Sequence, residues 1–406
     1  MTRPWPGRRT ADAGRYVRLT SPRTAVLDTR WPGPADFHAT QLRRALNHGM
    51  PAAATRAPRL RARVSRSPLP TDLAAAVLRR LPTSTDEELD ALRRDLVDAW
   101  ADFSVKGLPG RRAPSLEEAS LLAVSRSGGR TVFVFRQDDL HPSLVLTSAR
   151  SSGRRAEADA QERAASLGIA PRQLGRLGSW LVQEGLAGLP LWIDGDRDGL
   201  TWPATTVATI EDLHDKLRLL ALGTARPGNP AAALDAVFDP LGTMPLEART
   251  VRRLEAVRRD LKALDVQVLE HRDVSAQNVT VDCDGPGPGR VTGLVDWEYA
   301  RDDGIVGFDH LLAAVSLTEH AQGRYRWSDE ASYELLRDGW DDAPIYAVAR
   351  AALRRTLRET IGSDALAGQI EVAVMVSRLT AATRRSLAPT VAQRCLISSL
   401  ELVLDR

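Results

Sequence analysis

Residues 269–309 constrain this chain more than any other stretch. They read L-E-H-R-D-V-S-A-Q-N-V-T-V, then a Gly/Pro loop, then G-L-V-D-W-E-Y-A and a trailing G-F-D. The apolar Val266, Val268 and Leu269 lead as a strand into His271-Arg272-Asp273. Asn278 then opens the run Val279-Thr280-Val281, whose β-branched side chains suit a pleated, half-buried strand. Gly285-Pro286-Gly287-Pro288-Gly289 is turn composition between two such runs, so a hairpin is expected here. The second run, residues 291–295, delivers Asp296 at its end. Strand, polar loop, hairpin and polar turn together set Asp273, Asn278 and Asp296 side by side.

That trio suits one kind of chemistry. Phosphoryl transfer needs little covalent help; it needs an acceptor hydroxyl oriented by a carboxylate and a Mg²⁺ ion bridging phosphate oxygens. Asp273 can orient the hydroxyl and take its proton, while Asn278 and Asp296 offer the hard oxygen ligands Mg²⁺ prefers. The bland alternative is an ordinary hairpin with a capping aspartate at 273 and an Asx turn at 278. Isolated H-x-D triplets are common, but the joint pattern is specific.

On these residues the chain resembles the protein kinase-like superfamily. His271-Arg272-Asp273 with Asn278 looks like its catalytic loop, and Asp296-Trp297-Glu298 is similar to the aminoglycoside phosphotransferase and choline kinase branch. The longer L-V-D-W-E-Y-A and the trailing Asp309 point the same way. The resemblance implies an α+β, bilobal kinase-like fold: a small β-rich lobe over residues 111–187, a mostly helical lobe over residues 188–406, and an accessory segment over residues 1–110. It implies ATP (or GTP) and Mg²⁺ as cofactors, and a hydroxyl acceptor on a small molecule or a biosynthetic peptide. Asp273 becomes the acceptor-orienting base. His271 holds the loop by hydrogen bonds, and Arg272, where the small-molecule branch more often has glycine, pairs with an acid or a phosphate. Asn278 and Asp296 become metal ligands, Glu298 faces metal or a cationic acceptor, and Asp309 braces the loop.

Upstream, strands are expected over residues 121–124, 131–136 and 143–148. Gly128-Gly129 lies between the first two and reads equally as a phosphate-covering loop or a hairpin turn. In the third strand the chain departs from the family: Thr147 stands where a lysine would pair with the nucleotide phosphates and a helix glutamate. Arg150 or Arg136 can supply positive charge there, with Glu157 or Glu162 as partner, although a forked guanidinium does not replace an ammonium conservatively. This departure opens a second expectation, a binding or scaffold module without catalysis. A further strand ends near Trp180, and residues 181–191 resemble the strand-to-hinge segment whose backbone at Gln183, Glu184 and Leu186 would meet adenine.

Helical stripes mark residues 206–222 and 246–264, with about three more helices over 344–404. The Pro- and Gly-rich residues 226–245 read as a loop shaping an acceptor pocket, and Asp302 and Asp303 as solvated loop charges. Residues 1–20 read as a flexible arm, 23–30 as a strand and 73–81 as a helix. Ser84 with Glu87 has capping-box spacing ahead of Leu89, Leu92, Leu96, Val97 and Trp100, and residues 109–114 read as a boundary. Charge is uneven: residues 1–70 hold 14 Arg and 3 Asp without Lys or Glu, a net +11 against +3 for the chain. A basic arm can meet nucleic acid. With only three lysines in 406 residues, however, arginine bias inflates that signal and argues against it. Two cysteines far apart suggest neither a disulfide framework nor a zinc site. No apolar run approaches the ~20 residues of a membrane span, and the N-terminus lacks a signal core, so a cytoplasmic protein is expected. Nothing in the sequence speaks to oligomeric state.

Overall fold

The structure is a computed structural model describing residues 16–19, 25–28, 83–84, 86–105, 120–126, 129–135, 141–148, 154–191, 204–243, 246–282, 289–321 and 344–384, with positions 397, 400, 403 and 404. The chain divides into two compact units, Met1–Ser151 with Gln173–Leu186, and Ser152–Arg172 with Ala187–Arg406. The fold is mixed α+β, as expected: a large antiparallel sheet occupies the first unit and most helices the second.

The first unit contains β1 (Tyr16–Leu19), β2 (Ala25–Asp28), β3 (Thr83–Ser84), α1 (Glu87–Val105), β4 (Ser120–Arg126), β5 (Gly129–Phe135), β6 (Pro142–Ser148), β7 (Gln173–Leu177) and β8 (Trp180–Glu184). The sheet order is β3-β1-β2-β4-β5-β6-β8-β7. Successive strand residues face opposite sides, so Leu121 and Ala123, Val132 and Val134, and Leu144 and Leu146 share one face. Leu89, Leu92 and Leu96 of α1 pack with them, and Leu174, Trp180 and Val182 complete that buried cluster. The capping residue of α1 is Asp86 rather than Ser84, which lies in β3: Asp86 Oδ1 accepts the Leu89 N–H at 3.1 Å. The same carboxylate pairs with Arg130 of β5 at 2.5 Å, tying the helix start to the sheet. Trp180 opens a strand rather than ending one, because the chain turns at Gly178 with φ 55° and pairs Leu177 with Trp180. The expected helix over 73–81 and boundary over 109–114 lie outside the described residues.

The second unit contains α2 (Arg154–Ser166), β9 (Leu189–Pro190), α3 (Ala204–Thr224), β10 (Arg226–Pro227), α4 (Ala231–Phe238), a 3₁₀ turn (Asp239–Thr243), α5 (Ala248–Lys262), β11 (Val266–Glu270), β12 (Val279–Asp282), β13 (Arg290–Leu294), β14 (Arg301–Gly304), α6 (Phe308–Ala321), α7 (Pro344–Ile361) and α8 (Ala367–Arg384). Two three-stranded sheets run β10-β11-β14 and β13-β12-β9. The stripe Ile210, Leu213, Leu217 and Leu220 of α3 is buried, and α3 packs on α7 and β11. Residues 226–245 are not the loop their Pro and Gly content suggests. Pro230 stands at the N-cap of α4, where proline's missing N–H costs no helical bond, and Ala233, Leu234, Val237 and Phe238 are buried. Asp302 and Asp303 are likewise not merely solvated loop charges: they sit in β14, bonded to Arg163 (2.5 Å) and Arg301 (2.9 Å). Among the described residues no helix is long and apolar enough to cross a membrane.

Candidate active site

β11 runs out of the core of the second unit and ends at the buried Glu270. The chain then reverses. Arg272 has φ 68°, and the only other non-glycine residue with positive φ among those described is Asp296, also at 68°. Such backbone is costly for a side-chain-bearing residue and persists only where surrounding contacts over-determine it. Both outliers lie in the stretch that the sequence singled out.

Asp309, at the start of α6, supplies part of that determination. Its Oδ2 accepts the His271 N–H at 2.6 Å and its Oδ1 the Arg272 N–H at 3.1 Å. His271 supplies another part. Its Nδ1 accepts the Asp273 N–H (3.3 Å), so Nε2 carries the proton and donates to the Val295 carbonyl (3.0 Å). The ring is fully buried and lies 4.5 Å from the Trp297 ring, centroid to centroid. Burial holds its pKa below the ordinary histidine value, against the pull of Asp309 and Asp273. A neutral imidazole with both nitrogens engaged orients the loop and moves no proton.

The hairpin closes the site. Val279 pairs with Leu294 across β12 and β13, and beyond the ladder the Val295 N–H donates to the Asn278 carbonyl at 2.9 Å. Asp296 is therefore the next residue after a backbone contact to Asn278. The Asn278 side chain turns to the loop, its Nδ2 donating to both the Asp273 carbonyl and Asp273 Oδ2 at 2.9 Å. Burial raises the Asp273 pKa and the Asp296 charge adds to that, while His271, Arg378 and the Asn278 bond oppose it. A half-shielded carboxylate with raised proton affinity suits a group that receives a proton from a hydroxyl.

The ligand set also fits Mg²⁺. Both hydrogens of the Asn278 amide are engaged by Asp273, which leaves Oδ1 as the atom that could hold a metal, a hard oxygen whose residue's backbone partner, Val295, immediately precedes the Asp296 carboxylate. Mg²⁺ takes one or two such protein oxygens and completes its shell with water and phosphate. Glu298 is exposed, and its charge, with burial and a side-chain hydrogen bond between the two, raises the Tyr299 pKa.

Among the expected nucleotide-contacting residues, Gly129 opens β5 and pairs with Arg126. Gly128 and Arg150 lie outside the described residues. Thr147 is half-buried in β6, opposite Thr131 and Leu181. Gln183 and Glu184 end β8 opposite Val145 and Leu144, and Leu186 follows, half-buried. These positions belong to the first unit. Sequence reasoning missed Glu270 and Arg378. Each had a signal, a charged residue ending or interrupting an apolar buried run (V-Q-V-L-E, V-A-V-M-V-S-R), which is rare without a partner.

The model of the phosphotransferase enzyme family matches residues 120–348. Among the curated proteins none matches the chain. Solved structures similar to it include a choline/ethanolamine kinase family protein from Mesorhizobium loti, 17% identical, covering 76% of this chain and 99% of its own, with a TM-score of 0.38. An ethanolamine kinase of Plasmodium vivax is 10% identical, covers 70% of this chain and 83% of its own, and has a TM-score of 0.37. The ADP-bound aminoglycoside phosphotransferase APH(2'')-Ib is 12% identical, covers 69% and 92%, and has a TM-score of 0.35.

Proposed function

The chain belongs to the phosphotransferase enzyme family, and from that premise we propose that it transfers the γ-phosphoryl group of ATP (or GTP) to a hydroxyl of a small molecule or biosynthetic peptide. Asp273 orients the acceptor hydroxyl and receives its proton at a carboxylate oxygen. Asn278 holds Asp273 through two hydrogen bonds and offers Oδ1 to the metal together with Asp296. Bound Mg²⁺ would offset charge on the phosphate oxygens. His271 and Asp309 act through the loop backbone. The observation that most supports the reading is the pair of hydrogen bonds from Asn278 Nδ2 to Asp273, in a loop entered through the left-handed Arg272. The experiment is a screen of hydroxyl compounds (amino alcohols, sugars, aminoglycosides and other antibiotics) for acceptor-dependent ADP release with Mg²⁺. Acceptor-dependent release in the wild type that vanishes in Asp273→Ala supports the reading; release indifferent to that change overturns it.

Thr147 favours a second reading, a binding module without transfer, because a threonine between Thr131 and Leu181 offers no charge to phosphates. Thermal stabilisation by Mg²⁺-nucleotide separates the two. Stabilisation without turnover on any acceptor favours the module, and neither effect removes the nucleotide site altogether.

A further inference from the structure

Glu270 is a carboxylate with 1% exposure at the end of a core strand, one residue before the catalytic loop, and the chemistry above does not use it. Its surroundings are specific. Oε1 accepts the Ile305 N–H at 2.7 Å, and Oε2 lies 3.4 Å from Arg272 Nη1. A Cβ at Gly304 would stand 2.2 Å from Glu270 Cγ and 2.6 Å from Cδ, so the glycine makes room for this side chain. The Arg272 guanidinium carbon sits 4.5 Å from the centre of the Phe308 ring, an attractive cation–π arrangement.

These contacts are reciprocal with those of Asp309. The strand's acid accepts a backbone N–H from the 304–309 segment, and the segment's acid accepts two backbone N–H groups from the loop. Asp309 holds the backbone of Arg272, while Glu270 and Phe308 hold its side chain. Together they fix the one residue whose left-handed conformation turns the chain into Asp273.

We propose that Glu270 is a positioning residue: with Arg272, Gly304 and Phe308 it clasps the catalytic loop to the segment leading into α6 and so sets the aim of Asp273. Its catalytic side rests on the phosphotransferase reading; the clasp itself does not. Burial pushes the Glu270 carboxyl up to about 7, against the pull of Arg272, so this acid is held at a cost to stability. A residue kept only for packing would not be an acid here.

The test is Glu270→Gln in the full chain. The amide oxygen still accepts from Ile305, while the charge that holds Arg272 is gone. Amide hydrogen exchange at His271 and Arg272 is expected to speed up roughly 10-fold through local opening. With a working acceptor, kcat is expected to fall roughly 10-fold with nucleotide KM little changed, the pattern of a lost transition-state interaction. The melting temperature is expected to hold or rise. In an Arg272→Met background the same change should add little, because coupled residues are not additive. Unchanged exchange at these amides overturns the clasp, whatever the activity. Faster exchange with unchanged kcat in an active enzyme overturns the positioning role, and so does a kcat loss that follows a fall in melting temperature. A wild type inactive on every acceptor counts against the phosphotransferase reading, while the exchange measurement still decides the clasp.

Discussion

Asp309 and His310 are consecutive residues of one helix, and each serves a different buried polar network. Asp309 faces the loop that begins at His271 as an acid receiving two backbone N–H groups. His310 faces the helical core: its Nδ1 lies 3.0 Å from His214 Nδ1 of α3, and its Nε2 lies 2.9 Å from Thr356 Oγ1 of α7. The first network is built of carboxylates, a guanidinium and left-handed backbone. The second is built of imidazoles that burial holds neutral. Charge is kept where a loop must be held in one uncommon shape, because ionised acceptors bind N–H groups more strongly. It is absent where helices only need their polar groups paired. Among the described residues His214 Nε2 meets no partner, so the second network tolerates imperfect pairing.

On the proposed mechanism, removing the Asp273 carboxylate should give the largest effect. Asp273→Asn is expected to lower kcat by about 10²–10⁴-fold, the usual contribution of a positioned general base. Because burial already raises the Asp273 pKa, the same change should leave the melting temperature level or higher. A parallel loss of stability would show that Asp273 serves the fold, and the contrast between the two networks would lose its functional half.

Next in size is the brace. In Asp309→Ala one buried and one partly buried N–H group lose their acceptor, and the loss at a buried group costs about 1–3 kcal/mol. Chemical denaturation should show a loss on the order of 3 kcal/mol, with a fall in kcat beyond what unfolding explains. If His310→Ala disturbs kcat as much as Asp309→Ala at equal stability, the division of labour along the helix is wrong.

The geometry of the candidate site was legible because its logic is local. Asp273 and Asn278 sit in one loop, Asp296 at the end of one hairpin strand, and the backbone ladder from Val279 to Val295 turns sequence spacing directly into proximity. The same holds for the alternating strands β4 to β6 and the helical stripe of α3. What stayed hidden depends on distant partners or on competing local signals. Arg378 reaches Asp273's field from α8, and its guanidinium donates to Ser316 Oγ on α6, a meeting no spacing encodes. The helix α4 was hidden by Pro227, Gly228, Pro230 and Pro240, which flank its apolar run without interrupting it. Ser84 matched a capping pattern, yet Asp86 stands nearer the helix and also meets Arg130, so tertiary pairing decided the cap.

The histidine network makes a pH prediction of the opposite sense to Glu270. His214 is held down to about 4 in the folded state by burial, with Arg355 adding and Asp215 opposing; Arg355 and Arg218 also face His310. An unfolded histidine titrates near 6.5, so between those values the unfolded chain binds more protons and stability falls on acidification. The loss from His214 is on the order of 3 kcal/mol across that window. Urea titrations from pH 7 to 4 should show a steeper loss for wild type than for His214→Gln. Parallel curves would remove the neutral network from the comparison. Glu270, raised by burial from 4.5 to about 7, instead contributes stability below 4.5 that is lost as pH rises through 7. Glu270→Gln should therefore gain on wild type toward pH 8.

The smallest effect should come from a pair that belongs to neither network. Arg163 Nη1 lies 2.5 Å from Asp302 Oδ1, joining α2 to β14, but the two side chains are 34% and 50% exposed. At that exposure water and salt screen most of the attraction, and holding two side chains in register costs entropy. Arg163→Ala is expected to change stability by less than about 1 kcal/mol, and by still less at high salt. The Asp302 carbonyl, which accepts from Arg226 Nη2 at 3.0 Å, is untouched by that change. A loss above about 2 kcal/mol would mean that short charge pairs at this surface do the holding ascribed to the buried acids. The weight given to Asp309 and Glu270 would then have to be shared with β14.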